Sequence, residues 1–241
     1  LYLRYQHSMP ESASSIYGFA RFSHTSNDII TVSKWDDRNN RTSTYENING
    51  NMNGSFRLMY NRPLRNRKFS FNAGTFGSYS RDNTLISSGS SQQEKNTANI
   101  FNIGEDLRFK FNSDMFQFDL GGRISYETAN NSLSKTADRD IYNFGGFGSF
   151  TWYLPYSFAL ESDMNYSSNS GYSSGYEQNE WLWNASVSKQ FLKAKNATIR
   201  FKIYDILQER SSISSSRSAT AITETFNNSI NSYFMVNLII R

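Results

Sequence analysis

Between residues 99 and 111 the chain alternates: Phe101, Ile103, Leu107, Phe109 and Phe111 are interleaved with Asn102, Gly104, Asp106, Arg108 and Lys110. Successive side chains of an extended strand point to opposite faces, so a period of two sorts these residues onto one apolar and one polar side. A short turn follows and the pattern resumes, with Phe116, Phe118, Leu120, Ile124 and Tyr126 against Gln117, Asp119, Arg123 and Glu127. Two such segments joined tightly read as an antiparallel hairpin with one oily face and one face carrying charges of both signs.

The alternation recurs at Phe69, Phe71 and Ala73 against Ser70, Asn72 and Gly74, and at Tyr156, Phe158, Leu160, Met164 and Tyr166 against Ser157, Glu161, Asp163 and Asn165. Weaker versions lie at 48–60, 142–152, 181–191, 197–203 and 234–240. Segments opening at Leu1 and Ile16 bring the expected total to about eleven strands, with 16–35 read as one long strand. Connections alternate in length. Short ones fall at 9–12, 61–66, 112–115, 154–155 and 193–196, and longer polar ones at 36–42, 81–97, 129–140, 169–179 and 206–228. That asymmetry predicts short turns at one end of a sheet and long loops at the other, as in transmembrane barrels. Trp152, Tyr153 and Tyr156 flank a short turn and Trp181 and Trp183 follow a long loop, positions where rings with polar edges favour the headgroup level of a bilayer.

Composition argues against a globular core. Hydrophobic residues make up 37% and mean hydropathy is −0.63, yet aromatics reach 16%, a concentration that disordered chains lack. Cysteine is absent, which removes disulfides, thiolate metal sites and cysteine nucleophiles together. No run approaches the ~18 apolar residues of a membrane helix. If the chain enters a bilayer it does so as strands, because a bilayer accepts only structures whose backbone groups are paired internally. The residues therefore predict an all-β, antiparallel transmembrane β-barrel region spanning 1–241. Arg108, Lys110, Asp119, Arg123, Glu161, Asp163, Arg200 and Lys202 are expected to face the lumen, and Phe109, Phe118, Leu120, Phe158, Phe201, Val236 and Leu238 the lipid. The chain opens at Leu1 as if inside a strand, and is expected to be a fragment of a longer protein.

Catalytic chemistry finds little support. The two histidines, His7 and His24, have no second histidine at metal spacing and are expected as polar tips near strand ends. Glu161, Asp163 and Asp119 could form a glycosidase pair, but Arg108, Lys110, Arg123, Arg200 and Lys202 are expected on the same side, which favours a network of opposite charges. Gly145, Gly146 and Gly148 lack the following Lys-Ser or Lys-Thr of a phosphate loop and read instead as relief of crowding beside aromatics. Residues 204–209 look locally helical and read as a single turn. The charge run Arg62, Arg65, Arg67 and Lys68 reads as a solvated turn, and a net charge of +4 is small for a nucleic-acid binder. No enzyme activity, cofactor, metal or nucleic-acid partner is expected.

Three stretches carry a family resemblance: Asn143 to Tyr156, with Phe144, Gly145, Gly146, Phe147, Trp152 and Pro155; Gln178 to Leu192, with Trp181 and Trp183; and Lys195 to Leu207, with Phe201, Tyr204 and Asp205. They resemble the carboxy-terminal barrel of TonB-dependent outer-membrane receptors, in the branch typed as outer-membrane β-barrel family proteins. Residues 233–237 are similar to that branch's final strand, and 45–50 and 63–69 extend the likeness. The resemblance implies a bacterial outer-membrane location in contact with lipid. It further implies a barrel of roughly 22 strands, of which about eleven here would be the carboxy-terminal half. An amino-terminal barrel half, a plug domain and a TonB-type energy coupler are the partners it implies. Its implied function is uptake of a bulky solute. The competing expectation is a non-transporting barrel that docks a surface lipoprotein or joins an envelope complex. No plug or energy-coupling box is recognisable in these residues, and where the family normally ends in an aromatic this chain stops at Arg241, so the terminal position is expected to be missing by truncation.

Overall fold

The computed structural model describes residues 1–35, 41–64, 68–88, 92–133, 135, 138–170, 178–192, 196–210, 213–217, 222–226 and 230–240. Among the described residues fifteen strands follow one another: β1 (Tyr2–Met9), β2 (Ser14–Thr25), β3 (Asp28–Trp35), β4 (Arg41–Ile48), β5 (Asn51–Leu64), β6 (Phe69–Ser88), β7 (Gln92–Asn112), β8 (Phe116–Asn131), β9 (Arg139–Leu154), β10 (Phe158–Ser170), β11 (Gln178–Phe191), β12 (Ala197–Tyr204), β13 (Ile213–Arg217), β14 (Ile222–Phe226) and β15 (Tyr233–Ile240). Eleven of them form one antiparallel sheet in the order β1-β2-β5-β6-β7-β8-β9-β10-β11-β12-β15. Each strand of the sheet is hydrogen-bonded to the sheet strand that precedes it in the chain. Hairpins β3–β4 and β13–β14 are separate two-stranded sheets inserted in the connections from β2 to β5 and from β12 to β15.

All short connections fall at one end, between β1 and β2, β5 and β6, β7 and β8, β9 and β10, and β11 and β12. The β9–β10 turn is a single 3-10 turn, Pro155–Ser157, in which Tyr156 takes a left-handed φ of 61° and is exposed. The inserted hairpins and the longer connections share the other end.

Several boundaries differ from the sequence reading. Residues 16–35 form two strands, because β2 ends at Thr25, Asn27 turns the backbone at φ 55°, and β3 leaves to pair with β4. Ile48 closes β4; Gly50, at φ +96°, then turns the chain into β5. The expected loop at 81–97 is a strand extension, with β6 and β7 paired as far as Ser88 and Gln92. Side-chain amides hold this extension: Asn96 Nδ2 donates to Asn131 Oδ1 at 3.1 Å, Asn83 Nδ2 donates to Asn51 Oδ1 at 3.0 Å, and Thr97 Oγ1 donates to Asn83 Oδ1 at 2.8 Å. The expected loop at 206–228 contains β13 and β14, and residues 205–207 form a turn. Residues 36–40, Arg65, Arg67, 171–177 and 193–195 lie outside the described residues.

Among the described residues no second layer of secondary structure covers either face of the sheet. Large apolar side chains are accordingly exposed, among them Leu107 at 52%, Leu120 at 51%, Leu238 at 62% and Phe234 at 70%. The few buried apolar residues of the sheet stand at its ends, Ala98, Ala129 and Ile141 on neighbouring strands at the loop end and Ala197 at the turn end. A soluble domain does not leave so broad an apolar surface uncovered.

The aromatic residues of that surface form two levels. Phe69 and Tyr79, Phe101 and Phe111, Phe116 and Tyr126, Tyr142 and Trp152, and Trp181 and Phe191 are each ten positions apart on β6, β7, β8, β9 and β11. Register brings the members of each level together. Phe111 stands against Phe69 and Phe118 with ring centroids 4.6 and 5.3 Å away, Tyr126 against Tyr142 at 4.9 Å, and Tyr166 against Trp181 at 4.4 Å.

Candidate functional site on the charged face

Residues opposite one another in an antiparallel ladder share a face, so the register sorts every side chain of the sheet. Lys110 stands opposite Asp119, Asp119 opposite Ser149, Ser149 opposite Asp163, and Asp163 opposite Asn184. Asp106 stands opposite Arg123, and Ser186 and Ser188 opposite Lys202 and Arg200. Arg108, Lys110, Asp119, Arg123, Glu161, Asp163, Arg200 and Lys202 therefore lie on one face. Phe109, Phe118, Leu120, Phe158, Phe201, Val236 and Leu238 lie on the other, as the pairs Phe109–Leu120, Phe118–Phe111 and Phe201–Val236 show.

The charged face forms ion pairs in two clusters, with a further pair, Arg139 to Glu127 at 2.9 Å, at the loop end of β8 and β9. On β7 and β8, Arg108 donates from Nε to Asp119 Oδ1 at 2.7 Å and again from Nη2 to Oδ2, while Lys110 Nζ approaches the same carboxylate at 3.6 Å. Arg57 Nη2 donates to Asp106 Oδ1 at 2.7 Å across β6. On β10, β11 and β12, Arg200 reaches Glu161 at 3.4 Å and Lys202 reaches Asp163 at 4.0 Å. Ser186 Oγ donates to Glu161 at 3.2 Å and Asn184 Nδ2 to Asp163 at 2.7 Å. Half-exposed ion pairs contribute only ~0–1 kcal/mol each to stability. Their effect is to make the face hydrophilic. The carboxylates Asp106, Asp119, Glu161 and Asp163 are each engaged by a cation, which is unlike a poised acid and base pair.

Aromatic rings are also built into this face. Phe76 lies across Gly104 on the next strand and Phe147 across Gly121; a Cβ at either glycine would overlap the ring. The rings in turn carry guanidinium groups. Arg123 sits 4.1 Å and Arg57 5.8 Å from the Phe76 centroid, and Arg108 sits 5.2 Å from that of Phe147. Sequence reading missed Phe76 and Phe147, because an aromatic on a polar face breaks the alternation. Arg57 was missed within a weakly patterned strand. Glu105 was missed in the opposite sense: the register puts it on the apolar face, opposite Thr75 and Ile124.

His7 lies on the apolar face of β1, stacked on Tyr5 at 6.4 Å, and His24 Nε2 is 3.4 Å from Ser26 Oγ near the end of β2. The expected relief of crowding beside aromatics is not what Gly145, Gly146 and Gly148 provide: a Cβ would meet the Tyr166 carbonyl oxygen at 3.7 Å, the Gly121 carbonyl oxygen at 3.8 Å and the Leu120 side chain at 3.1 Å, and no ring.

A single antiparallel sheet with short turns at one end, an uncovered apolar face and a charged, hydrogen-bonded face has the architecture of outer-membrane β-barrel proteins. The chain belongs to the outer membrane protein beta-barrel family, whose model matches residues 101–239, from within β7 to within β15. No curated protein matches the chain. Family membership makes this an outer-membrane protein, and barrels of this type are generally non-catalytic. Strands β1, β2, β5 and β6 precede the matched residues and are hydrogen-bonded into the same sheet.

Proposed function

We propose that the chain is one wall of a transport barrel, with its apolar face in lipid and its charged face lining a hydrated lumen through which a bulky solute is taken up. The observation that carries this reading is the double aromatic level on the apolar face. Ten residues rise about 34 Å along a strand, and at a tilt of about 40° that is about 26 Å of height, against an apolar band of about 25 Å in outer-membrane barrels. Between the levels the face is dominated by Leu, Ile, Phe, Val and Gly, while the other face over the same height carries the ion pairs.

The sheet has two free edges among the described residues, β1 and β15. In a bilayer, unpaired backbone groups on those edges would each cost several kcal/mol. The proposed barrel therefore continues on both sides, with further strands of the same protein completing a wall of roughly 22. A plug in the lumen and a TonB-type coupler at the short-turn, periplasmic end are further parts of the same proposal. The test is a deletion strain together with the full-length protein reconstituted in liposomes. Loss of uptake of one solute class, restored by the intact gene but not by a coupler-deficient background, is the expected result. Unchanged uptake after deletion, with no solute bound or admitted by the liposomes, would overturn it.

A second reading is favoured by the hairpin β3–β4, which stands beyond the sheet at the loop end and exposes Ile29 and Tyr45. An exposed aliphatic and aromatic pair there suits docking of a surface lipoprotein. Co-purification of a stoichiometric partner without solute binding would decide for that reading.

A further inference from the structure

The two clusters on the charged face differ in balance. Between the aromatic levels, strands β1, β2, β5, β6, β7 and β8 present Arg4, Arg21, Arg57, Arg108, Lys110 and Arg123 on this face against only Asp106 and Asp119, an excess of four positive charges. Strands β9, β10, β11, β12 and β15 present Arg200 and Lys202 against Glu161 and Asp163, with no excess. Two of the arginines without a carboxylate partner among the described residues rest on rings. Arg4 lies 5.1 Å from the Tyr17 centroid and Arg123 4.1 Å from that of Phe76. Arg123 stands opposite Asp106, but that carboxylate is taken by Arg57 at 2.7 Å, and among the described residues no carboxylate lies at ion-pair distance from Arg123.

A guanidinium stacked on an aromatic ring keeps its charge and leaves the N–H groups at its edge free to donate in one plane. That arrangement matches the paired oxygens of carboxylate, sulfate or phosphate groups. We propose that the β1 to β8 side of this wall is a binding track for a polyanionic solute bearing such groups, with Arg123 as its central contact and Phe76 holding it in place. This rests on the reading of the charged face as a lumen wall, and it names the class of solute that the wall selects. The register partner of Arg123 on β9 is Gly145, which adds no side chain beside the guanidinium.

The test uses the full-length protein in detergent and two pyrene probes of similar size, the anionic trisulfonate pyranine and a trimethylammonium pyrene, followed by fluorescence anisotropy. Pyranine is expected to bind saturably, weakening as salt rises and screens the charges, and the cationic probe is expected not to bind. Arg123→Gln should weaken pyranine about tenfold, the scale of one charge-assisted hydrogen bond. Arg123→Lys, which keeps the charge but loses the planar pair of donors and the stacking, should weaken binding less than Arg123→Gln does and should not restore wild-type binding. Lys135→Gln, the same charge change on a loop outside the sheet, should leave binding unaltered. Heat-modifiable mobility shows that each variant has folded. Equal binding of both probes, or an Arg123→Gln effect no larger than that of Lys135→Gln, would overturn the proposal.

A separate readout tests the lumen wall itself. The chain has no cysteine, so Ser149→Cys on the charged face and Leu120→Cys on the apolar face can be probed in proteoliposomes with a water-soluble maleimide. Labelling at 149 and not at 120 is expected. Labelling at 149 without pyranine binding would sink the anion track alone, whereas protection at 149 would sink the lumen reading and the track with it.

Discussion

Thr75 Oγ1 donates a hydrogen bond of 2.7 Å to Glu105 Oε1 across β6 and β7, on the apolar face of the sheet. Ile103 and Leu107 flank the acid on its own strand, and Ile124 is its register partner on β8. A carboxylate facing lipid is unfavourable, less so than an arginine or lysine but of the same sign. Glu105→Leu should therefore raise the urea midpoint of the full-length protein refolded into lipid vesicles, and Leu107→Glu should lower it. A loss of stability in Glu105→Leu comparable to that in Leu107→Glu would show that this face does not meet lipid at the level of β7.

Leu120 lies four residues from Phe116 and six from Tyr126, near mid-height between the aromatic levels. Leu120→Arg should cost roughly 2–4 kcal/mol, the range for a cation at the bilayer midplane. Asp119→Asn, one residue away on the other face, loses the half-exposed pairs to Arg108 and Lys110 and should cost about 1 kcal/mol or less. The reverse ordering in vesicle unfolding would invert the assignment of faces.

Glycine positions on the charged face separate two kinds of site. A Cβ at Gly104 would overlap the Phe76 ring and stand 2.7 Å from the Ile124 carbonyl oxygen, whereas at Gly145 the nearest atom is the Tyr166 carbonyl oxygen at 3.7 Å. Gly104→Ala should destabilise by about 1–3 kcal/mol, the cost of overpacking. Gly145→Ala should be neutral or slightly stabilising, since alanine restricts the unfolded chain. Equal effects at the two positions would show that Phe76 does not lie across Gly104.

The alternation that revealed the faces in the sequence is a property of the sheet's period of two, with apolar side chains on one side and polar ones on the other. It fails where both sides carry polar residues. Residues 81–97 continue as paired strand through Asn83, Asn96 and Thr97, whose amide and hydroxyl contacts leave no hydrophobic period to detect. It also misleads where a single residue stands against its face, as Glu105 does on the apolar side and Phe76 and Phe147 on the charged side. The ten-residue spacing of aromatics, from Phe116 to Tyr126 and from Tyr142 to Trp152, was present in the sequence. Register was needed to align it into levels. The break at Asn27 depends on a left-handed backbone that the preceding strand pattern does not signal.

At the loop end, Asp138 Oδ1 accepts the Asn131 backbone N–H at 2.5 Å and the Asn131 side-chain amide at 3.3 Å, with Lys135 Nζ 3.6 Å from the other oxygen. The Asn131 N–H above all, then its side chain and the lysine, hold the Asp138 carboxyl below the ordinary carboxylate range. A depressed value means that the ionised form is favoured in the folded loop. Its stabilisation is complete above the unfolded value of about 3.9 and is lost as pH falls through the lower folded value. Hydrogen exchange at the Asn131 amide should therefore stay slow, after correction for intrinsic rates, at pH 5 to 7 and lose protection only below about pH 4. Asp138→Asn should abolish that acid transition. Protection already lost near pH 6 would rule out this carboxylate as the anchor.

The last expectation concerns closure. The eleven strands alternate in direction, so β1 and β15 run the same way and could join only as a parallel pair. Single-chain bacterial barrels of this class have an even number of strands and close antiparallel. Each edge strand is 8 residues long, and backbone donors and acceptors left facing lipid along both would cost far more than the few kcal/mol by which folded proteins are stable. Residues 1–241 expressed alone and refolded in detergent should accordingly give aggregates or higher oligomers, in which edges pair with other copies. They should not give a monodisperse monomer of heat-modifiable mobility. Such a monomer would mean that β1 and β15 seal against each other, and that the eleven-stranded sheet is a barrel in its own right rather than one wall of a larger one.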